Sequence, residues 1–252
     1  MQKNRIKEKM FTGHPAFGVS LMFPAPQVVE MLGRLGFDWI LIDCEHGIFS
    51  PESIQHMVLA AEVIGLTPIV RPASNSAEAI AQVLDCGALG VQVPHINTVE
   101  EARRVVEAVK FYPEGQRGLA ASTRPSGYGF DGSMSEYVLS ANRETLVCIQ
   151  LEEPVALDNI QQLVQVAGID VLFVGPSDLS QSLGVPGQTD APQVVDAMQQ
   201  AFKVVVEVGK LAGSAGNAQA TSRYLHADVR YLYTHLTTLL AQGSQEFFRG
   251  VQ

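Results

Sequence analysis

The feature that most constrains this chain is a regular alternation of short apolar runs with longer amphipathic stretches. Short apolar runs bounded by glycine and polar residues predict buried strands, and apolar positions three and four residues apart predict helices. Strands that alternate with helices indicate βαβ units and a parallel sheet. The predicted strands are Phe17–Leu21, Trp39–Ile42, Thr67–Arg71, Gly90–Val93, Leu146–Leu151, Val171–Val174, Lys210–Ser214 and Arg230–Tyr233.

The number of strands decides between the possible architectures. Eight strands, with no glycine-rich nucleotide fingerprint after the first, favour a closed (β/α)₈ barrel (a TIM barrel) over an open Rossmann sheet. The length of 252 residues suits one such barrel, and no linker interrupts it, so we expect residues 1–252 to form a single domain. An amphipathic helix outside the barrel is expected at the N-terminus. Predicted helices between the strands include Pro51–Ile64, Ala77–Cys86, Val99–Val109, Val155–Val166 and Ala191–Val208.

Composition excludes several classes of function. Hydrophobic residues make up 46% of the chain, which suits a large core, and the formal charge of −9 argues against nucleic-acid binding. No apolar run approaches the ~18 residues of a membrane span, and no secretory signal is visible. The three scattered cysteines, Cys44, Cys86 and Cys148, are expected to be buried free thiols. We therefore expect a cytoplasmic protein that acts on a small molecule.

In a barrel of this kind the active site forms where the strands end, at their carboxyl termini. The residues at these strand ends are mostly polar. They are Asp43, Glu45 and His46 after strand 2, Arg71 ending strand 3, His95 after strand 4, Gln150 and Glu152 at strand 5, and Gly175, Pro176, Ser177 and Asp178 after strand 6.

Two carboxylates at neighbouring strand ends, Glu152 and Asp178, predict a metal site. Like charges held close together repel unless one is protonated or a cation lies between them. Hard oxygen ligands without a supporting His/Cys cluster suit Mg²⁺ or Mn²⁺. An alternative role for Asp178 is to cap the helix that begins at this point, and both roles are compatible.

Two further residues are candidates for the chemistry. His46 directly follows two acids after a buried strand, and a neutral imidazole suits a general base near neutral pH, although a loop histidine can simply be solvated. Arg71 ends an apolar strand and needs an anionic partner, either a protein carboxylate or a substrate carboxylate. His95 could line the pocket, and His235, after strand 8, is a plausible pocket residue.

Lysine placement excludes one mechanism. None of the six lysines ends a predicted strand, whereas Schiff-base chemistry needs a desolvated lysine inside the site. A metal-stabilised enolate is the natural alternative, with the metal acting as a Lewis acid on a carbonyl oxygen.

Several motifs together resemble the HpcH/HpaI family of pyruvate-dependent class II aldolases, which are metal-dependent carbon–carbon lyases. The resemblance spans roughly residues 15–185. It rests on GFDWILIDCEHG (36–47), PIVRP (68–72), VQVP (91–94), RGLA (117–120), CIQLE (148–152) and VLFVGPSDLS (171–180).

The resemblance implies roles for individual residues in forming or cleaving 4-hydroxy-2-oxo acids. Glu152 and Asp178 would bind a divalent metal (Mg²⁺, or Mn²⁺ or Co²⁺), which pyruvate would chelate. Arg71 would stabilise the enolate, and Gln150 would line the site together with Gly175, Pro176 and Ser177. His46 would be the acid/base, working through a metal-bound water.

The resemblance also implies roles for residues that touch neither the metal nor the substrate. Asp43 would orient the loop after strand 2, and Asp85, from a neighbouring subunit, would support His46. The family forms hexamers in which the last helix is exchanged between subunits, so a homo-hexamer is expected here.

The match fades in the C-terminal third, where LAGSAGN and LYTHLTT replace the family's usual strand 7 and strand 8 endings. In the long irregular segment 112–134, Arg124 is a candidate for recognising a distal substrate carboxylate at the rim. Siderophore-associated citrate synthases, which condense oxaloacetate with acetyl-CoA, resemble one branch of the same family and are the alternative. A non-catalytic barrel should lack one of these residues, and a phosphoenolpyruvate enzyme should carry more basic residues at the rim.

Overall fold

Eight parallel strands close into a barrel in the computed structural model, which describes residues 2–251. The strands are β1 Ala16–Leu21, β2 Trp39–Asp43, β3 Thr67–Arg71, β4 Gly90–Val93, β5 Leu146–Leu151, β6 Val171–Val174, β7 Leu211–Ala215 and β8 Tyr231–His235. Each strand pairs with the next in the chain, and β8 pairs with β1 to close the ring. The predicted (β/α)₈ barrel is confirmed.

Helices follow the strands and cover the outside of the barrel. They are α1 Arg5–Phe11, α2 Pro26–Arg34, α3 Pro51–Ile64, α4 Ala77–Asp85, α5 Val99–Val109, α6 Met134–Glu144, α7 Pro154–Asp158, α8 Ile160–Leu163, α9 Pro176–Ser182, α10 Pro192–Glu207, α11 Ala218–His226 and α12 Leu236–Gly250, with a 3₁₀ turn at Arg124–Gly129. No helix within residues 2–251 is long and apolar enough to cross a membrane.

Two predicted boundaries differ from the structure for identifiable reasons. The predicted strand over residues 230–233 ends too early, because Thr234 and His235 continue the pairing with β1 although they are polar. The predicted helix over residues 155–166 is divided into α7 and α8 at Asn159, whose side-chain amide donates to the carbonyl of Asn97. The prediction of three buried thiols holds only for Cys148, since Cys44 and Cys86 are partly exposed.

Strand side chains alternate between two cores, as the two-residue period of a strand requires. In β2, Ile40 and Ile42 pack outward against the helices, whereas Trp39 and Leu41 point into the barrel. The same alternation carries Asp43 to the inner side at the end of this strand. Polar side chains at the carboxyl ends of the strands are thereby directed into the barrel mouth rather than into the helical layer.

Aromatic rings fill much of the barrel interior. Trp39 stacks on Tyr231 with ring centroids 4.2 Å apart, and Phe173 stacks on Tyr233 at 5.3 Å. Gly18 makes room for Trp39, because a Cβ at this position would lie 2.3 Å from the indole ring. The rings therefore form a solid floor beneath the polar end of the barrel.

The first helix closes the amino-terminal end of the barrel. Ile6 and Met10 of α1 are each 1% exposed and belong to the same apolar cluster as Trp39 and Leu146. Asn4 caps α1 by accepting from the backbone N–H of Lys7. The N-terminal helix expected from the sequence is therefore a plug for one end of the barrel.

The last helix is packed very differently. None of the α12 residues is buried, and Leu240, Phe247 and Phe248 are exposed. An apolar cavity of ≈ 320 Å³ lies beside β1 and β8. Its lining includes Phe17, Phe37, Leu225, Leu232 and Leu239. The outer faces of β1 and β8 are thus incompletely covered within one chain.

Replacing Gly18 with alanine is expected to lower the free energy of unfolding by about 1–3 kcal/mol, because the added methyl collides with a ring that the core holds fixed. Urea denaturation of the Gly18→Ala variant measures this change. Gly118→Ala is the matched control, since a Cβ there meets nothing within 4 Å. Equal stability of the two variants would contradict the tight packing described for Trp39.

Candidate active site

A polar cavity of ≈ 430 Å³ opens where the strands end, on the side of the barrel opposite to α1. The residues that line it are Met22, His46, Arg71, Gln150, Phe173, Gly175, Pro176, Ser177, Asp178, Thr189, Ala215, Gly216, Asn217, Tyr233, His235 and Thr238. The structure therefore brings together most of the candidates that the sequence suggests.

A buried ion pair between Asp43 and Arg71 forms the base of this cavity. The Arg71 Nε atom donates to Asp43 Oδ1 at 2.8 Å, and its Nη2 atom donates to Asp43 Oδ2. Asp43 is completely buried, and Arg71 is 5% exposed. Of the two partners that the sequence left open for Arg71, the structure shows a protein carboxylate.

Electrostatics keep both members of this pair charged. Burial by itself would raise the pKa of Asp43, but the hydrogen bonds and positive charge of Arg71 outweigh it, and the net pKa is lowered. Burial would likewise lower the pKa of Arg71, but hydrogen bonding to Asp43 and nearby negative charge raise it overall. The guanidinium is therefore a fixed cation whose orientation is set by two hydrogen bonds.

Gln150 connects Arg71 to the predicted metal site. Its Oε1 atom accepts from Arg71 Nη1 at 3.3 Å and from Gln92 Nε2 at 2.5 Å. Its Nε2 atom donates to Glu152 Oε2 at 2.6 Å. Two donors on one side and a carboxylate on the other fix the orientation of the amide. Gln92 also belongs to this network but was not among the predicted site residues. The alternation of side chains along β4, which places Gln92 inside the barrel, could have indicated it.

Glu152 is buried and has a like charge nearby. Its side chain is 2% exposed, and its Oε1 atom accepts from the backbone N–H of His95 at 2.9 Å. Burial raises the pKa of Glu152, hydrogen bonding to His95 opposes this, and the charge of Asp178 raises the pKa further. A cation bound beside the carboxylate would remove this penalty.

Asp178 does not cap a helix. Gly175 occupies the N-cap position of α9, no side-chain capping hydrogen bond is present, and Asp178 lies in the first turn of that helix. Its side chain lines the cavity instead. The capping role considered from the sequence is therefore wrong, and the carboxylate remains available for a ligand.

A second group of potential metal-binding side chains lies against Glu152. Glu45, His95 and Glu152 offer ligand atoms that all lie within 4.8 Å of one another. His95 Nε2 is 3.0 Å from Glu45 Oε1, and His95 Nδ1 is 3.1 Å from Glu152 Oε1. Burial opposes protonation, but the charges of Glu152 and Glu45 raise the pKa of His95 overall. Glu45 was predicted at this end of the barrel, but without a metal-binding role.

His46 lies at the cavity with its side chain about half exposed, in a loop that Asp43 organises. The Asp43 Oδ1 atom accepts from the backbone N–H of Glu45 at 3.1 Å and from that of His46 at 3.3 Å. One carboxylate thus orients both Arg71 and the loop that carries the imidazole.

Two predicted site residues lie at the opposite, amino-terminal end of the barrel. Arg124 pairs with Glu62 near the end of α3 and approaches Gly87, which precedes β4. The expectation that it lies at the rim of this chain's own site is wrong, because the segment after α5 folds under the barrel. Asp85, at the end of α4, accepts from Arg117 Nη2 at 2.7 Å. It could reach an active site only in another copy of the chain.

His235 belongs to the cavity, and no lysine does. His235 ends β8 on the inner side, above Tyr233, and it lines the cavity together with Arg71. All six lysines lie within residues 2–251, and none is among the residues that line this cavity. Lys110, for example, is buried at the other end, where it donates to the carbonyls of Asn142 and Thr145. Imine chemistry therefore has no lysine to use here.

A model of the HpcH/HpaI aldolase/citrate lyase family matches residues 19–224 of this sequence. The chain belongs to this family. The match extends well past the motifs that suggested the resemblance and takes in β7 and most of α11.

Similar proteins of known name support the same assignment. The chain is 35% identical to a hydroxypyruvate/pyruvate aldolase from Sagittula stellata over 84% of this chain and 83% of that protein. It is 34% identical to the 2-keto-3-deoxy-L-rhamnonate aldolase of Escherichia coli K12 over 83% of this chain and 78% of that protein. A crystal structure of the citrate synthase SbnG superposes with a TM-score of 0.84 at 28% identity, covering 98% of each chain.

Replacing Asp43 with asparagine is expected to destabilise the fold by roughly 3–5 kcal/mol near neutral pH, because Arg71 is left as an uncompensated buried charge. The lowered pKa of Asp43 means that its carboxylate stabilises the protein above the ordinary aspartate value of 3.8 and loses this effect as pH falls through the lowered pKa. The difference between wild type and Asp43→Asn should therefore shrink in acid.

Urea unfolding across this pH range measures the effect, and Asp196→Asn, at an exposed position on α10, is the matched control. A stability difference between wild type and Asp43→Asn that is independent of pH would contradict the role given to the ion pair.

Proposed function

We propose that this protein forms or cleaves 4-hydroxy-2-oxo acids by aldol chemistry through a pyruvate enolate, with a divalent metal held by Glu152 and Asp178. It is a carbon–carbon lyase of the metal-dependent, class II aldolase type, as its aldolase relatives and family indicate. The observation that carries the proposal is the chain of buried contacts from Asp43 through Arg71 and Gln150 to Glu152, at the base of a cavity that Asp178 also lines.

The donor set fits a hard divalent cation. Glu152 is a buried carboxylate whose pKa is raised by burial, with the charge of Asp178 adding to this effect, and Asp178 makes no capping hydrogen bond. Oxygen ligands of this kind favour Mg²⁺, with Mn²⁺ or Co²⁺ as alternatives. When bound, the cation would supply Lewis-acid polarisation of the oxo group and offset the negative charge that develops there.

The protein's own residues would perform the remaining steps. Arg71 would donate an N–H to the oxo oxygen as negative charge grows on it. Three of its N–H groups donate to Asp43 and Gln150, Nη1 also lies 3.1 Å from Glu45 Oε2, and the second N–H of Nη2 remains. Gln150 would hold Glu152 in place. His46 would accept the proton from the methyl group of pyruvate and return a proton to the new hydroxyl oxygen in the synthetic direction. Gly175, Pro176 and Ser177 would line the oxo-acid side of the cavity.

The citrate synthase alternative is less well supported. The named aldolases are 34–35% identical over most of the chain, whereas the citrate synthase structure is 28% identical. Both activities need an enolate and a carbonyl acceptor, so the residues around Arg71 do not separate them. The aldolase assignment therefore rests on the nearer relatives.

A two-arm assay tests the proposal directly. Purified protein supplemented with Mg²⁺, Mn²⁺ or Co²⁺ is given pyruvate and short aldehydes in one arm, and oxaloacetate with acetyl-CoA in the other. We expect aldol product in the first arm and loss of activity on chelation. Citrate and free thiol formed in the second arm without aldol turnover would replace the aldolase assignment with the alternative.

The metal-binding role is tested by Glu152→Gln and Asp178→Asn. Each is expected to lower kcat/KM by at least ~100-fold, because loss of a metal-site carboxylate weakens metal retention. Binding of Mn²⁺ followed by electron paramagnetic resonance gives a readout independent of activity. Glu114→Gln, at an exposed position, is the control. Unchanged Mn²⁺ affinity in both site variants would exclude these carboxylates as ligands.

We further propose a cytoplasmic homo-hexamer in which α12 crosses to a neighbouring subunit. The support is that α12 buries none of its residues within one chain, while an apolar cavity lies open beside β1 and β8. The same assembly would allow Asp85 of one copy to approach His46 of another. Free cysteines throughout the described chain are consistent with a reducing compartment.

Replacing Leu240 with glutamate is expected to weaken this assembly, because a charge would enter the apolar face that α12 presents to its neighbour. Size-exclusion chromatography with light scattering should give about six times the chain mass of 27.2 kDa for the wild type and a smaller species for Leu240→Glu. Gln245→Glu places the same charge elsewhere on α12 and should leave the mass unchanged. A monomeric wild type would contradict the exchange.

A further inference from the structure

The side of the cavity formed by β7 and β8 has no role in the chemistry described above. His235 ends β8 there, and Asn217 and Thr238 lie nearby on the same cavity wall. Ala215, the last residue of β7, and Gly216, which follows it, also line the cavity and carry almost no side chain. β6 separates this side from β5, which Glu152 follows.

The position of the His235 ring is fixed but its polar atoms are not engaged. The ring packs edge-on against Tyr233, with centroids 5.6 Å apart and an interplanar angle of 87°. Its Nδ1 atom is buried and has no hydrogen-bond partner among the residues that the structure describes. Because the side chain is only partly buried and Nδ1 is enclosed, the edge that lines the cavity is the one carrying Nε2.

The side chains on this wall can form hydrogen bonds but carry no charge. Burial lowers the pKa of His235, and the charge of Arg71 lowers it further, so the imidazole is neutral near pH 7. Asn217 and Thr238 are uncharged, and Asn217 Oδ1 accepts from the backbone N–H of Ala220 to cap α11. Among the described residues that line the cavity, Arg71 is the only arginine or lysine, and it is bound to Asp43.

We propose that His235 is a specificity-determining residue whose Nε2 edge binds an oxygen of the acceptor aldehyde, and that the acceptor is an uncharged, hydroxylated aldehyde. This inference rests on the proposed aldol function. The oxo acid would occupy the side of Arg71, Glu152 and Asp178, and the acceptor would occupy the side of β7 and β8. A carboxylated or phosphorylated acceptor would find no free cation on that wall.

Two measurements separate the acceptor from the enolate. Exchange of the methyl protons of pyruvate in D₂O, followed by NMR, reports enolate formation and needs no acceptor. Initial rates with pyruvate and either glycolaldehyde, propionaldehyde or glyoxylate report the acceptor. The variants are His235→Phe, which keeps a ring of similar size, and His235→Gln, which restores a hydrogen-bonding side chain. His56→Gln, at an exposed position on α3, is the matched control.

We expect His235→Phe to raise KM for glycolaldehyde ~10-fold, as loss of one hydrogen bond to a neutral group predicts, while pyruvate exchange stays within about twofold of wild type. His235→Gln should recover most of the affinity, which a purely structural role would not produce. A smaller change with propionaldehyde would assign the contact to the acceptor's hydroxyl group, and an equal change would assign it to the carbonyl. Wild type should prefer glycolaldehyde to glyoxylate.

Three results would overturn the inference. Unchanged KM for glycolaldehyde in His235→Phe, with exchange intact, would exclude the contact. Loss of exchange in His235→Phe alone would assign His235 to the enolate instead of the acceptor. Preference of wild type for glyoxylate would exclude an uncharged acceptor. Absence of pyruvate exchange in wild type is a separate outcome that removes the enolate chemistry, and the inference with it.

Discussion

The buried pair of Asp43 and Arg71 is the contact on which the rest of the site depends. A lone guanidinium at the end of a buried strand would carry a large desolvation cost, and a lone carboxylate would carry a similar one. Together they are stable, and each then positions a further element. Arg71 reaches Gln150 and through it Glu152, while Asp43 holds the backbone of the loop that contains His46. Disturbing either residue would therefore disturb the proposed acid/base group and the proposed metal ligand at once.

Much of the fold was predictable from the sequence, because the spacing of apolar residues and the residue composition indicate the same element in each strand–helix unit. Seven of the eight strands were predicted within one residue at both ends, among them Thr67–Arg71, Gly90–Val93 and Leu146–Leu151, which match the structure. The predicted end of β8 lies two residues too early, because Thr234 and His235 are polar and a polar residue ordinarily marks the end of a buried strand. At a barrel mouth that rule fails, since inward positions there face solvent or ligand.

The site was only partly predictable. The sequence shows which residues end each strand, but it does not show which of those residues lie close together in space. Strand ends brought Arg71, Gln150 and Asp178 to one cavity as expected. Glu45 and His95 contact each other across two strands, which no local pattern encodes. Arg124 was misplaced because the direction of a long irregular segment is set by tertiary pairing, here with Glu62, and not by its own residues. The proposed exchange of α12 and the proposed role of Asp85 would both require a second copy of the chain.

The aromatic layer of Trp39, Tyr231, Phe173 and Tyr233 has a geometric consequence for substrate length. Because these rings close the barrel directly below the polar residues, a bound molecule has no room to lengthen downward. Any additional carbon atoms must extend outward past His235 and His46 toward the opening. Selection by chain length in this enzyme is therefore a property of its rim, and changes in the loops around the mouth can alter it while the interior of the barrel stays constant.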